Sequence, residues 1–125
     1  IPHLLESGGN IVNIASNAGL MGQAYTVAYC ASKGAVVQFT RALAMEFMRT
    51  SLRVNALAPA GTNTALTANY QMPGDIDFDL MRPYMGYRPP SEPEEVAALF
   101  AYVASSDGRS MTGSIISMDN GVTAG

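Results

Sequence analysis

A chain of 125 residues with 48% hydrophobic and 14% charged residues carries enough apolar content for one buried core and too little charge for a disordered tail. Its net charge of −3 and six scattered arginines leave no basic stripe for a phosphate backbone, so nucleic acid is not an expected partner. One cysteine, Cys30, and one histidine, His3, exclude a disulfide framework, a cysteine-rich zinc site and a histidine metal cluster, and point to a reducing, cytoplasmic compartment.

In chain order, the sequence opens on Ile1-Pro2 rather than on methionine, and residues 3–9 read as the last turn of a helix closed by glycine. A fragment of a longer chain is therefore expected. Residues 10–15, Asn-Ile-Val-Asn-Ile-Ala, are a short β-branched run suited to a strand buried on both faces of a parallel sheet, with Ser16 at its carboxyl end. Residues 17–23, with Gly19 and Gly22, form a loop at the edge where open α/β sheets bind ligands. A long helix is expected over about residues 25–49, with Ala28, Ala31, Ala35, Phe39, Leu43 and Phe47 as its apolar stripe. Arg49 and Arg53 fall at or just beyond its end, where positive charge suits the helix dipole.

Residues 52–58 read as a second strand, stopped by Pro59, which makes strand, helix and strand a right-handed crossover unit. Residues 61–90 have little periodicity but hold several prolines, Tyr70, Tyr84, Tyr87, Met72, Met81 and Met85, a pattern expected of a lid or binding loop. Ser91-Glu92-Pro93-Glu94 reads as a capping box opening a helix over residues 95–104, and residues 114–118 as a last strand ended by Asp119-Asn120-Gly121. The longest apolar run, residues 96–104, is far short of the roughly 20 residues that span a bilayer, so the chain reads as soluble with no membrane partner.

The chemistry-bearing stretch is residues 16–33. Tyr29 and Lys33 are four residues apart and leave one helical face as neighbours. A tyrosine ordinarily loses its proton near pH 10, and an ammonium beside it favours the phenolate, which suits general acid/base work on an alcohol or carbonyl oxygen. The plainer alternatives are a surface tyrosine with a solvated lysine, and for Ser16 a turn or N-cap serine. Met21 and Gln23, on the loop beyond Ser16, are candidates for the pocket wall. Cys30 points about 100° away from Tyr29 around the helix and reads as a buried small residue. Asn55 reads as a brace of the sheet edge.

Asn-Ile-Val-Asn-Ile-Ala-Ser ending at Ser16, Tyr-Cys-Ala-Ser-Lys from Tyr29 to Lys33, Arg-Val-Asn-Ala-Leu-Ala-Pro ending at Pro59, and Thr-Gly followed by Asp119-Asn120-Gly121 together resemble the C-terminal half of the short-chain dehydrogenase/reductase superfamily. The resemblance covers essentially the whole chain. It implies an α/β fold, the C-terminal part of a doubly wound, Rossmann-type parallel sheet, with residues 1–125 as one incomplete domain. It implies that Tyr29 exchanges the proton of the reacting hydroxyl, that Ser16 holds the same oxygen, and that Lys33 binds the ribose of NAD or NADP. Pro59, Ala60, Gly61, Thr62 and Thr64 would border the nicotinamide, Thr64 binding its carboxamide or else capping a short helix at 65–69. Ala60 stands where the family usually has glycine, which implies a different turn there.

The family's glycine-rich phosphate loop is missing from this sequence, so the resemblance implies the catalytic half of a chain of roughly 250 residues. The strand at residues 10–15 would then have an open apolar edge. The activity implied is interconversion of a secondary alcohol and a ketone, or more narrowly reduction of a 3-oxoacyl thioester. A dehydratase or epimerase on the same fold and a non-catalytic binding or scaffold fragment are the alternatives. The Met and Tyr content of residues 61–90 suits an apolar substrate under a mobile lid, or an oligomer interface. A homotetramer, paired through the helix that carries Tyr29, is also implied. The residues that discriminate NAD from NADP would lie before Ile1.

Overall fold

Val54, Ala56, Leu57 and Ala58 have no exposed surface, the mark of a strand covered on both faces. They belong to β2 (Arg53–Pro59) in the computed structural model, which describes residues 1–71 and 74–124. This strand is the centre of a three-stranded parallel sheet, flanked by β1 (Asn10–Ile14) and β3 (Ile115–Met118) in the order β1-β2-β3. Asn10 pairs with Arg53 through to Ile14 with Leu57, and Ala56 pairs with Ile115 through to Pro59 with Met118. Contrary to the expectation of burial on both faces, β1 is only partly covered and Ile14 is 45% exposed. Among the described residues β1 pairs with β2 alone, so its other edge is open.

Helix α1 (Pro2–Ser7) starts on proline and ends at Gly8, whose φ of 62° is the left-handed conformation of a helix terminator. Its Leu4 and Leu5 join Ile11, Leu43 and Phe47 around Ala44, Leu52 and Val54 at one end of the core. At the other end Ala15, Val37, Ala56 and Ala58 pack with Val36 and Ile115.

Helix α2 (Val27–Glu46) crosses from β1 to β2 and is shorter than residues 25–49. Tyr25, at φ 66°, stands outside helical geometry and holds the start back. The helix buries Val37, Thr40 and Ala44; of the stripe read from spacing, Leu43 and Phe47 pack on the core, whereas Ala28, Ala31, Ala35 and Phe39 face outward. Small side chains at 37, 40 and 44 let the helix approach the sheet closely. Thr40 then ties the two, its Oγ1 donating to the Val36 carbonyl at 2.8 Å and accepting from Asn13 Nδ2 at 2.9 Å.

Residues 61–90 are more regular than their composition implies. They hold α3 (Ala65–Ala68) and α4 (Phe78–Met85), the latter started by Asp77, whose side chain accepts from the Asp79 amide at 2.9 Å. Met72 lies outside the described residues. Helix α5 (Pro93–Ala104) is capped one residue later than the Ser91 reading: Glu95 Oε2 accepts from the Glu92 amide at 2.7 Å. Ser91 is instead in a parallel bridge with Thr62, which clips the start of the 61–90 segment to its end.

Two polar side chains of β2 brace the remainder. Asn55, fully buried, donates to the Met111 carbonyl at 2.8 Å and accepts from the Ser114 amide at 3.1 Å, the bracing role expected of it. Arg53 serves α5 rather than the end of α2. Its guanidinium donates to the carbonyls of Gly108 at 2.9 Å, Val103 at 3.0 Å and Ser105 at 3.1 Å. No described helix is long and apolar enough to cross a membrane.

Candidate active site

The carboxyl end of β1 delivers Ser16 in an extended conformation, where its hydroxyl does two things. The oxygen accepts from the Ala18 amide at 3.2 Å, capping a single 3-10 turn at Asn17–Gly19, and the hydroxyl donates to Asn17 Oδ1 at 3.2 Å. The N-cap reading of Ser16 is therefore met, and the same residue lines a cavity. Asn17 Oδ1 accepts a second bond, from Gln23 Nε2 at 3.2 Å.

That turn sits hard against α2. A Cβ at Gly19 would stand 2.7 Å from the Lys33 carbonyl oxygen, a backbone atom that cannot move without shifting the helix. Gly19→Ala is expected to destabilise the fold by about 1–3 kcal/mol through overpacking. Gly22, three residues on, has nothing within 4 Å of such a Cβ, so Gly22→Ala should leave the melting temperature nearly unchanged. Thermal unfolding of the two variants side by side checks the pair.

On α2, Tyr29 and Lys33 stand one turn apart as their spacing requires, with Lys33 Nζ 5.7 Å from the centre of the Tyr29 ring. Lys33 Nζ also donates to the Ile14 carbonyl at 3.0 Å, tying the helix to the end of β1. Ser16, Tyr29 and Lys33 line a cavity of about 320 Å³ together with Pro59, Ala60, Gly61, Thr62 and Thr64. Thr64 caps α3 in a capping box with Thr67, which meets the N-cap reading of it, and it also lines this cavity.

A second cavity of about 350 Å³ shares Asn17, Gln23, Ala60, Gly61 and Thr67 with the first and is closed by Met81, Tyr84 and Met85 of α4. A third, about 630 Å³, is walled by Tyr25, Val27, Leu66 and Tyr70, with Tyr29 and Gln23 at its border with the first. Gln23 thus lines all three. Met21, expected on the pocket wall, lines none of these cavities; its carbonyl lies 3.8 Å from Cys30 Sγ instead. Sequence reasoning passed over Asn17 and Thr67. The signal for Asn17 was its place directly after Ser16 at the strand's end.

The α4 wall is tied to the loop before α2. Tyr84 donates to the Ala24 carbonyl at 2.8 Å, and Tyr25 accepts from the Asp77 amide at 2.8 Å. Burial, with Tyr25, Tyr70 and Cys30 nearby, raises the Tyr84 phenol above its ordinary value and keeps it a donor.

Asp119 closes the far side of the second cavity. Burial pushes its carboxyl up, but hydrogen bonds from the Thr123 hydroxyl and the Gly121 and Thr123 amides outweigh that and hold it below the usual value. A lowered folded-state pKa contributes stability above the unfolded value of about 3.9, lost as pH falls through the folded one. The melting-temperature gap between wild type and Asp119→Asn should therefore be widest near neutrality and close in acid.

Residues 1–123 match the family described as enoyl-(acyl carrier protein) reductase. The chain is 40% identical over 124 residues to the meso-2,3-butanediol dehydrogenase of Serratia marcescens, covering 99% of this chain and 48% of that protein. Among solved structures it resembles a 4-hydroxyisoleucine dehydrogenase complexed with NADH and succinate, with a TM-score of 0.80 and 34% identity, over 99% of this chain and 51% of that one. It also resembles the 3-ketoacyl-(acyl-carrier-protein) reductase of Brucella melitensis complexed with NADH, with a TM-score of 0.81 and 29% identity, over 98% and 50%. The chain spans about half the length of the relatives it matches.

Proposed function

The chain belongs to the short-chain dehydrogenase/reductase superfamily, and from that premise we propose that the protein is an NAD(P)-dependent oxidoreductase interconverting a secondary alcohol and a ketone. The observation that carries this reading is that Ser16, Tyr29 and Lys33 line one cavity together with Pro59, Ala60, Gly61, Thr62 and Thr64, at the carboxyl ends of β1 and β2. A nicotinamide bound there would supply or accept the hydride, which no side chain can carry.

The residues present fit that group. Lys33 has three N–H donors, of which one is committed to the Ile14 carbonyl, leaving two for ribose hydroxyls. Thr62 and Thr64 bring hydroxyls to the same cavity. Tyr29 is about half exposed and lines the cavity, so its hydroxyl can give its proton to a developing alkoxide or take one from an alcohol. Ser16 would hold the same oxygen, and fix its distance from Tyr29, by turning to it the hydroxyl proton it otherwise gives to Asn17 Oδ1.

NADH in the complexes of similar structures supports the nicotinamide class, with NAD and NADP both open to this chain. The Brucella neighbour supports a 3-oxoacyl thioester reductase as the narrower reading. Residues 61–90 act as the lid, and the apolar third cavity suits an apolar substrate. Val27 and Met45, both more than half exposed and on one side of α2, supply apolar surface for pairing with a second copy, in line with a homotetramer. The free Cys30 suits a reducing, cytoplasmic setting.

The test is loss of the near-ultraviolet absorbance of NADH or NADPH when the full-length protein meets a panel of ketones and 3-oxoacyl thioesters. Turnover with at least one ketone is expected. Cofactor binding without turnover of any of them would leave a binding protein and overturn the reading.

A further inference from the structure

Helix α4 closes the second cavity with Met81, Tyr84 and Met85, yet the fold holds it by few contacts. Met81 is its one buried side chain, whereas Phe78, Leu80 and Met85 are each more than half exposed. Among the described residues, two hydrogen bonds join residues 74–88 to the rest of the chain, and a tyrosine hydroxyl makes each. Tyr84 donates to the Ala24 carbonyl and Tyr25 accepts from the Asp77 amide, both at 2.8 Å. The pair is reciprocal: one phenol comes from α4, the other from the loop before α2, and each bonds the backbone across the gap. Asp77 and Tyr84 stand near opposite ends of α4 while their partners are consecutive residues, so the helix is held along its length. Tyr25 does this from φ 66°, a strained conformation for a residue other than glycine, which persists where surrounding contacts impose it.

The base of the same segment is tied differently. Thr62 and Ser91 form a parallel bridge, the Ser91 amide donates to the Gly61 carbonyl at 3.0 Å, and the Asn63 amide donates to the Ser91 carbonyl at 2.9 Å. Asn120, at φ 54°, adds a bond from Nδ2 to the Pro89 carbonyl at 2.9 Å. None of these bonds involves α4. Between base and helix stands Gly86, at φ 70° and ψ 173°, a conformation that glycine alone adopts readily.

From this we propose that Tyr25 and Tyr84 are the latch of the site. Helix α4 opens by breaking their two bonds and turning about Gly86, the base at residues 61–63 and 89–91 stays closed, and substrate passes between α4 and residues 23–25. What passes there rests on the oxidoreductase reading above; the latch itself does not. Neither tyrosine lines the cavity of Ser16, Tyr29 and Lys33, so both are positioning residues that act through α4. Their bonds secure the closed helix to the turn that leads into α2, beside Gln23, which lines all three cavities.

Hydrogen–deuterium exchange of the full-length protein, followed by mass spectrometry, reads the open fraction of each segment. Tyr25→Phe and Tyr84→Phe each keep the ring and remove one bond. Each should speed exchange across residues 78–85 about fivefold, the worth of one hydrogen bond, and leave residues 89–95 unchanged. Asn120→Gly loosens the base at a backbone conformation that glycine accepts, and should leave α4 exchange as in wild type. A second readout is the binding of a ketone to the protein loaded with NAD or NADP, a complex that cannot react. In the Phe variants its association and dissociation rate constants should both rise about fivefold with their ratio unchanged, since a latch sets passage rather than affinity. Damage to the site itself would change the ratio.

Unchanged α4 exchange in either Phe variant overturns the latch, as does an equal rise in Asn120→Gly, which would mean that the segment opens from its base. A changed affinity with unchanged rates of passage also overturns it, making the rings part of the substrate wall. Ketone turnover with unchanged exchange refutes the latch and leaves the oxidoreductase reading standing. Faster exchange in a protein that turns over no ketone refutes that reading and leaves the latch. If one Phe variant does not fold, the other decides.

Discussion

Tyr29→Phe is expected to lower kcat by about 10²–10⁴-fold, the range by which a positioned proton donor accelerates a reaction. Phenylalanine keeps the ring and its place one turn from Lys33, so the cavity wall and the 3.0 Å bond from Lys33 to the Ile14 carbonyl should persist. What is lost is the hydroxyl, and with it the proton that the reacting oxygen must gain or give up. Dissociation constants for NADH and NADPH, measured by fluorescence titration, should change little. A Phe variant with wild-type turnover would refute Tyr29 as the proton donor. If turnover and cofactor binding fell together, the ring would be a packing element of the nicotinamide wall and the acid/base role would be unsupported.

Arg53→Met is expected to destabilise the protein by about 3–5 kcal/mol, the loss of two to three hydrogen bonds from a charged donor together with the carbonyls left facing one another. The three shortest bonds, to Gly108, Val103 and Ser105, gather the carboxyl end of α5 and the turn after it onto the start of β2. The Val103 and Ser105 carbonyls stand at the negative end of the α5 dipole, which the guanidinium offsets. Arg53→Lys should fall between the two, because a single ammonium cannot reach carbonyls spread across a planar fork. Urea unfolding monitored by circular dichroism checks both. A Met variant within about 1 kcal/mol of wild type would mean that water serves these carbonyls equally well.

Local signals in the chain were strong where they depended on neighbours in sequence. Gly8 terminates α1 because a left-handed residue is needed there, and Pro59 closes β2 because proline gives no donor to a ladder. Tyr29 and Lys33 share a face because helix geometry puts residues four apart together. Errors arose where a contact with something distant decided the outcome. The stripe from Ala28 to Phe39 has helical periodicity, but the sheet took Val37, Thr40 and Ala44 instead, the side chains that allow close approach. Arg53 looks like a charge at the end of α2 until α5, some fifty residues later, brings its carbonyls to it.

The site divides in the same way. Which residue types would do the chemistry, and their order along the chain, were legible in residues 16–33 and 52–64 because each motif is a short string. That the Met21 carbonyl lies by Cys30 while Gln23 reaches Asn17, that the segment after β2 holds α3 and α4, and that Gly19 lies against the Lys33 carbonyl were decided by the tertiary structure. The physical reason is that a side chain's direction in a loop is set by what packs on it, and those partners stand up to 60 residues away, as Tyr84 does from Ala24.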